Sequence, residues 1–374
     1  MRPTLTPNAV VVIEHGGTYS GTWASTASDV AVIAVHTSEP VVIENSKLSG
    51  PGDLIVTTRS ANLTVRNTTA TGSRPVENGR PPGRFISTAG GFTNLVVERN
   101  TIVGTSGIWA YGYDGNHTAT ETVSVRFNVA RDIDGRRSNG RGQVLMGDED
   151  RQAAQFLQVA DARAVPGIEV AWNDVVNTPG ASGVEDNINF YRAGGTAASP
   201  ARIHDNFIHG AYPADAAAQP FSGGGILVGD TSPGAMAGSY VDIDRNVVVA
   251  TTNHGISVVC GRHNRVRDNR IVASGVLPDG QSIAAQNVGL SIASAKSWGG
   301  PCDDFGDNSA TGNVIGWQKG TERNDLWTPG CEAGACTNNT ALESTITAAT
   351  EASERSEWQR RLAESGNQVG VSVS

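Results

Sequence analysis

The stretch Asn264–Gly275 reads NRVRDNRIVASG: polar and apolar residues alternate, an Asn follows, and a short apolar pair comes after it. The same phrase returns along most of the chain. VVIEN ends at Asn45, LTVRN at Asn67, LVVERN at Asn100 and VSVRFN at Asn128. IEVAWN ends at Asn173, ARIHDN at Asn206, VDIDRN at Asn246, RVRDN at Asn269, and a shorter ATGN at Asn313. The spacing starts at 22 residues, between Asn45 and Asn67, and stretches to 45, between Asn128 and Asn173. A fixed minimum with variable insertions is the mark of a solenoid whose loops project on one side.

Alternation at period two makes each phrase a strand with one buried face. A second apolar strand precedes the Asn phrases: FISTAGG (85–91), IWAYGYD (108–114), FLQVADA (156–162), INFYRAG (188–194), ILVGDTS (226–232), ISVVCGR (256–262) and LSIASAK (290–296). Two or three short strands per turn of about 22 residues predict an all-β parallel β-helix. The recurring Asn suits a bend, because it tolerates left-handed φ, and stacked copies can pass amide hydrogen bonds from turn to turn.

This pattern resembles the right-handed parallel β-helix proteins of the pectate lyase-like superfamily over about residues 8–320. The resemblance implies that fold and, because such proteins mostly cut or modify polysaccharides, a carbohydrate-active enzyme. The expected organisation is a β-helix domain over 1–339 and a helical cap and tail over 340–374. Within TALESTITAATEASERSEWQRRLAESG (340–366), Leu342, Ile346, Ala349, Ala352 and Trp358 form the expected apolar side, with Gly366 as the stop. Such a helix would cover the unpaired strand edges of an open end.

Composition narrows the class. The 374 residues include 45 Gly and carry a net charge of −9; the only lysines are Lys47, Lys296 and Lys319. There is no basic stripe for nucleic acid and no apolar run near the roughly 20 residues that span a bilayer. Cys260, Cys302, Cys331 and Cys336 lack zinc-ligand spacing and favour one or two disulfides, hence a secreted protein; the opening MRPTLTPNAVVV does not read as a signal peptide.

Stacked turns about 4.8 Å apart make a flat face some 30 Å long over seven turns, suited to an extended polysaccharide or oligosaccharide. The aromatics Trp109, Tyr111, Tyr113, Tyr191 and Tyr212 are candidates for stacking on sugar rings. Asp161, Arg192 and Asp230 end strands on three successive turns. That spacing sets the carboxylates roughly 9–10 Å apart at the backbone, near the upper end for an inverting glycosidase pair. Asp230 follows the Gly run of GGGILVGD, which would let a substrate approach closely. In GVEDNINFYR (183–192), Glu185 and Asp186 are neighbouring carboxylates whose coupling separates an acid from a base, and Asn189 and Tyr191 alternate beyond them. The acidic runs Asp148–Glu149–Asp150 and Asp303, Asp304, Asp307 read as solvated loops that also offer Ca²⁺ the oxygen donors it takes; no metal ligand set is assigned.

Two further resemblances bear on the site. NHGISV (253–258) is similar to the His-Gly-Ile-Ser stretch of polygalacturonases, which implies a catalytic helper role for His254; that family's paired Asp one turn earlier is here the single Asp230, and its Asn-Thr-Asp is missing. YGYDGNH (111–117) resembles the Tyr-Gly-Phe-Asp-Pro-His site of mannuronan C5-epimerases at Tyr111 and Asp114, without the Pro and with His117 displaced. The two stretches lie four turns apart, roughly 19 Å, so one site does not contain both.

Three functions follow as expectations. The first is glycoside hydrolysis, with Asp230 and Asp186 or Asp161 sharing acid and base roles, His254 and Arg192 in support, and Glu185, Asn189, Tyr191, Tyr212, Trp109, Tyr111 and Lys296 touching substrate. The second is lyase or epimerase action on a uronate polymer, with Lys296, Arg192, His254 or Tyr191 as base. The third is a non-catalytic glycan-binding solenoid.

Overall fold

A computed structural model describes residues 8–147, 151–218, 223–230, 237–331 and 334–372. The chain coils through three long sheets of 10, 11 and 12 strands, entering each once per turn. Every strand pairing between coils is parallel; antiparallel pairing among the described residues is confined to the short hairpin Val314–Lys319 with Glu322–Arg323 and to isolated bridges such as Ser138–Val144. The molecule is an all-β parallel solenoid with three strands per turn. The first sheet holds the apolar strands that precede the Asn phrases, the second holds the phrases themselves, and the third holds the apolar pair after each Asn.

The register turns sequence alternation into columns. Ile43, Val65, Val97, Val125, Val170, Ile203, Ile243, Val266 and Ala310 stand directly above one another in the second sheet. All are buried in one continuous core. Each such side chain, removed from water, contributes on the order of 1.5–3 kcal/mol, which offsets the ordering of so many short strands.

The Asn side chains form a ladder at the bend between the second and third sheets. From Asn100 through Asn128, Asn173, Asn206, Asn246, Asn269 and Asn313 to Asn339, each Asn gives both its backbone N–H and its side-chain Nδ2 to Oδ1 of the next, at 2.8–3.1 Å. Asn128 to Asn269 also hydrogen-bond a main-chain carbonyl of the turn before. Every buried donor at this corner thus has a partner.

Two details differ from the expectation. The left-handed residue is the one before the ladder Asn: Arg99, Phe127, Trp172, Asp205, Arg245, Asp268, Gly312 and Asn338 all have positive φ. Asn45 and Asn67 occupy that left-handed position themselves, one residue out of phase, because Glu44 and Arg66 pair in register with Glu98. The ladder position there is held by Ser46 and Thr68, and the amide stack starts at Asn100, which accepts from the Thr68 N–H.

The C-terminal helix spans Ala348–Glu364, with Thr347 and Thr350 closing a capping box and Gly366 in the left-handed region after it. It does not lie across an open end. It packs on the outer face of the third sheet, where Trp358 is buried against Phe207, Val247 and Val249 and gives its indole N–H to the Asp205 carbonyl. Leu342 and Ile346 precede the helix, Ala349 and Ala352 are exposed, and the buried face carries Glu351, Glu354 and Trp358. Glu354 binds Arg270, and Glu351 accepts the Ser274 N–H. The tail continues back along the same flank, with Gly370 bonded to Phe127 and Ser372 to Asn67. Two disulfides, Cys260–Cys302 and Cys331–Cys336, fasten loops of the last turns. No helix of the described residues is long and apolar enough to cross a membrane.

Candidate active site

Consecutive strands of the first sheet, Asp186–Ala193, Gly224–Val228 and His254–Val258, bring three sequence-distant stretches into one row. Asp186 is in register with Gly224. Gly224 in turn stands opposite His254, two residues before the Ile226–Ile256 pair. The Gly run makes this possible: a Cβ on Gly224 would fall 2.1 Å from His254 Nε2, and one on Gly223 would fall 0.8 Å from the Glu185 carbonyl oxygen. The space that the sequence suggested for a substrate is therefore filled by the imidazole and the Glu185 backbone.

Glu185, Asp186, Asp230 and His254 line a cavity of about 1070 Å³ on the outer face of this sheet. Asn189, fully buried, gives Nδ2 to Asp186 Oδ2 and to Asp230 Oδ2, each at 3.2 Å. Two legs of that length from one nitrogen hold the carboxylate oxygens closer than the ~6.5–9.5 Å of an inverting pair. Asp186 Oδ1 accepts the Gly224 N–H at 2.9 Å and lies 3.4 Å from His254 Nε2. Glu185 accepts from Gln155 Nε2 at 2.6 Å.

Burial, then the charges of Asp186 and Asp230, raises the Glu185 carboxyl well above the usual range. Asp186 is raised in the same way, first by burial and next by Asp230. Burial pushes the His254 imidazole down to about 4, against the pull of Asp230. The cluster accordingly retains a carboxyl proton at pH values where an ordinary Asp or Glu is ionised, beside a neutral imidazole.

Two tryptophans complete the cavity. Trp298 (57% exposed) ends the short helix Ala295–Trp298, and Trp327 (51% exposed) lies in the segment before Pro329. Cys302 and Cys331 each follow four residues after one of them, so each disulfide fastens the loop that carries a wall. Neither Trp falls in a strand phrase, and the periodicity that located the strands does not register them. No Lys or Arg lines the cavity among the described residues. Arg151 draws the Glu185 and Asp186 values partly back down from outside it.

Other residues that the sequence suggested lie elsewhere. Arg192 Nε binds Asp161 at 2.6 Å and its guanidinium lies over the Tyr191 ring, so these three form a half-buried group across two neighbouring strands; Asp230 turns instead toward Asn189. Trp109 and Tyr111 stack on each other with centroids 4.8 Å apart, and Arg84 sits 5.6 Å from the Trp109 centroid, in a separate polar cavity of about 440 Å³. Tyr212 is 2% exposed, packed with Ala216, Ile283 and Ala285, and cannot stack on a sugar; the expectation that it faces substrate is corrected by this burial. Lys296, on the helix that ends in Trp298, is exposed with Nζ 3.8 Å from Asp303. His254 and Tyr111 are indeed four strands apart in the first sheet. Asp304 and Asp307 bind Arg262, whereas Asp148, Glu149 and Asp150 lie outside the described residues. No group of three or more His, Cys, Asp or Glu side chains among the described residues is disposed to hold a metal ion.

The chain matches no protein-family model, no curated protein and no solved structure.

Proposed function

We propose that this protein is a secreted glycoside hydrolase of the pectate lyase-like class, wound in the right-handed sense, that cleaves a neutral glycan in the groove above Asp186 and Asp230. The observation that carries the reading is the composition of the cavity: three carboxylates and a neutral imidazole on its floor, two exposed indoles on its walls, and no cation among its described lining residues. Indole faces suit the apolar faces of sugar rings. A carboxyl that stays protonated is the general acid that a glycosidic oxygen requires, and an ionised partner close by is the second half of the pair. The Glu185–Asp186 pair supplies the proton, Asp230 is the second carboxylate of the pair, and Asn189 fixes their separation. His254 packs against Asp186 as a positioning residue.

The cation-free floor also favours hydrolysis over uronate elimination, which needs a positive group to neutralise the substrate carboxylate. Two disulfides support export. The test is a panel of neutral and uronate polysaccharides. Reducing ends released without absorbance near 235 nm support hydrolysis, absorbance at 235 nm replaces it with a lyase, and bound glycan without either product leaves a binding solenoid.

A further inference from the structure

The groove has one blocked end. The last strand of the first sheet is Val288–Ile292, and among the described residues no further strand follows it in that sheet. In its place comes the segment 324–330: Ile292 N–H donates to the Pro329 carbonyl at 2.9 Å, as each coil donates to the next, and Gly330 lies so close that a Cβ would fall 1.5 Å from the Ile292 oxygen. The segment is anchored on both sides. Asn324 gives Nδ2 to the Asn287 carbonyl and its N–H to the Trp317 carbonyl, and Cys331, directly after Gly330, is bonded to Cys336. Trp327, Pro329 and Gly330 line the cavity. They therefore form a wall where the sheet would otherwise continue.

The distance from the carboxylates to this wall is short. Asp230 follows the strand of Gly224, from which His254, Val288 and then the wall are three inter-strand spacings, about 14 Å; Asp186, in register with Gly224 on the strand before, is four spacings away, about 19 Å. A hexose in an extended chain advances by roughly one such spacing. On the opposite side the sheet runs on through the strands Gln155–Ala162 and Gly107–Tyr111 toward the first turns. The substrate thus meets a closed end on one side of the scissile bond and a continuing sheet face on the other.

We propose that the enzyme is exo-acting: it binds one chain end against the Trp327–Gly330 wall and releases a product of three or four sugars. This rests on the hydrolase reading above. It adds what that reading leaves open, namely a glycan terminus as the recognised chemical group and a fixed product length.

The test uses the intact, oxidised protein and whichever neutral polysaccharide of the panel it hydrolyses. Exo action predicts one tri- or tetrasaccharide from the first minutes and viscosity that falls only in proportion to bonds cut. Trp327→Ala, at an exposed site where a substitution leaves the fold intact, is expected to lower kcat/KM on short oligosaccharides about tenfold or more, as loss of a stacked ring at roughly 1.4 kcal/mol implies. It is also expected to lengthen the products; Trp298→Ala, on the side wall, weakens binding without changing product length. A mixed ladder of long products with an early collapse of viscosity would overturn exo action while leaving hydrolysis standing. Calorimetry on Asp230→Asn with neutral oligosaccharides of two to six units separates the two claims further. Affinity that stops rising at four units, in a protein whose wild type cuts nothing, keeps the blocked end and removes the hydrolase. Affinity that rises steadily to six units removes the blocked end.

Discussion

His254 Nε2 lies 3.4 Å from Asp186 Oδ1, both side chains are buried, and no hydrogen bond joins the imidazole nitrogen to any partner among the described residues. An imidazole depressed to about 4 and a carboxyl raised by burial are two neutral groups in contact, each kept uncharged by its own burial. This pair contributes to the pH dependence of stability from both sides. The raised Asp186 contributes stability that is complete below the ordinary carboxyl range and is lost as pH rises through its raised value. The depressed His254 contributes stability that is complete above the ordinary imidazole range and is lost as pH falls toward about 4. Asp186→Asn should therefore flatten the alkaline side of a plot of Tm against pH, and His254→Gln the acidic side. Unaltered limbs would show that these groups titrate alike in the folded and unfolded chain.

The Asn ladder should be costly to interrupt in its middle, whereas an out-of-phase Asn outside it should be cheap to lose. Asn206→Ala leaves the N–H and Nδ2 of Asn173 without the acceptor they share, in a fully buried position. At about 1–3 kcal/mol for each orphaned buried group, the loss should exceed about 3 kcal/mol. Asn45→Ala removes only an exposed amide bonded to Asn67 and should cost about 1 kcal/mol or less. Equal midpoints in urea denaturation would contradict the ladder.

The two disulfides should contribute unequally. Cys260–Cys302 closes a separation of 42 residues and Cys331–Cys336 one of 5. Chain entropy assigns them about 4 and about 2 kcal/mol. Replacing the first pair with alanines is expected to lower thermal stability more and to free the loop that carries Trp298. Replacing the second pair should act chiefly on the Trp327 wall, and so on affinity for short oligosaccharides. If the short bridge proved the more stabilising, loop closure would not be what these bonds supply.

Much of this architecture was legible in the sequence, and the misreadings have physical causes. Period-two alternation located the first two sheets because each strand has one dry face. The third sheet was harder to see, since its strands are often three or four residues long, as in Thr101–Val103 and Arg270–Ala273. Asn45 and Asn67 read as ladder members because Asn suits both the left-handed bend and the rung that follows it. The helix was found but its face was not: burial selected Glu351 and Glu354, whose charges meet the Ser274 N–H and Arg270, over exposed alanines. Within the site, Glu185, Asp186, Asp230 and His254 were visible as polar residues interrupting apolar strands. The bridging of two carboxylates by Asn189 depends on register, and the placing of Trp298 and Trp327 depends on loops held by disulfides. Neither has a period for the sequence to display.

The measurement that bears most directly on the account is the turnover of Asp230→Asn on a neutral polysaccharide that the wild-type protein hydrolyses, read as reducing ends beside a thermal melt. With Asp230 as the second carboxylate of the pair, kcat should fall by about 10³-fold or more, with Tm little changed. Turnover within a few-fold of wild type in a folded variant would contradict a catalytic role for Asp230 and, with it, hydrolysis at this cluster.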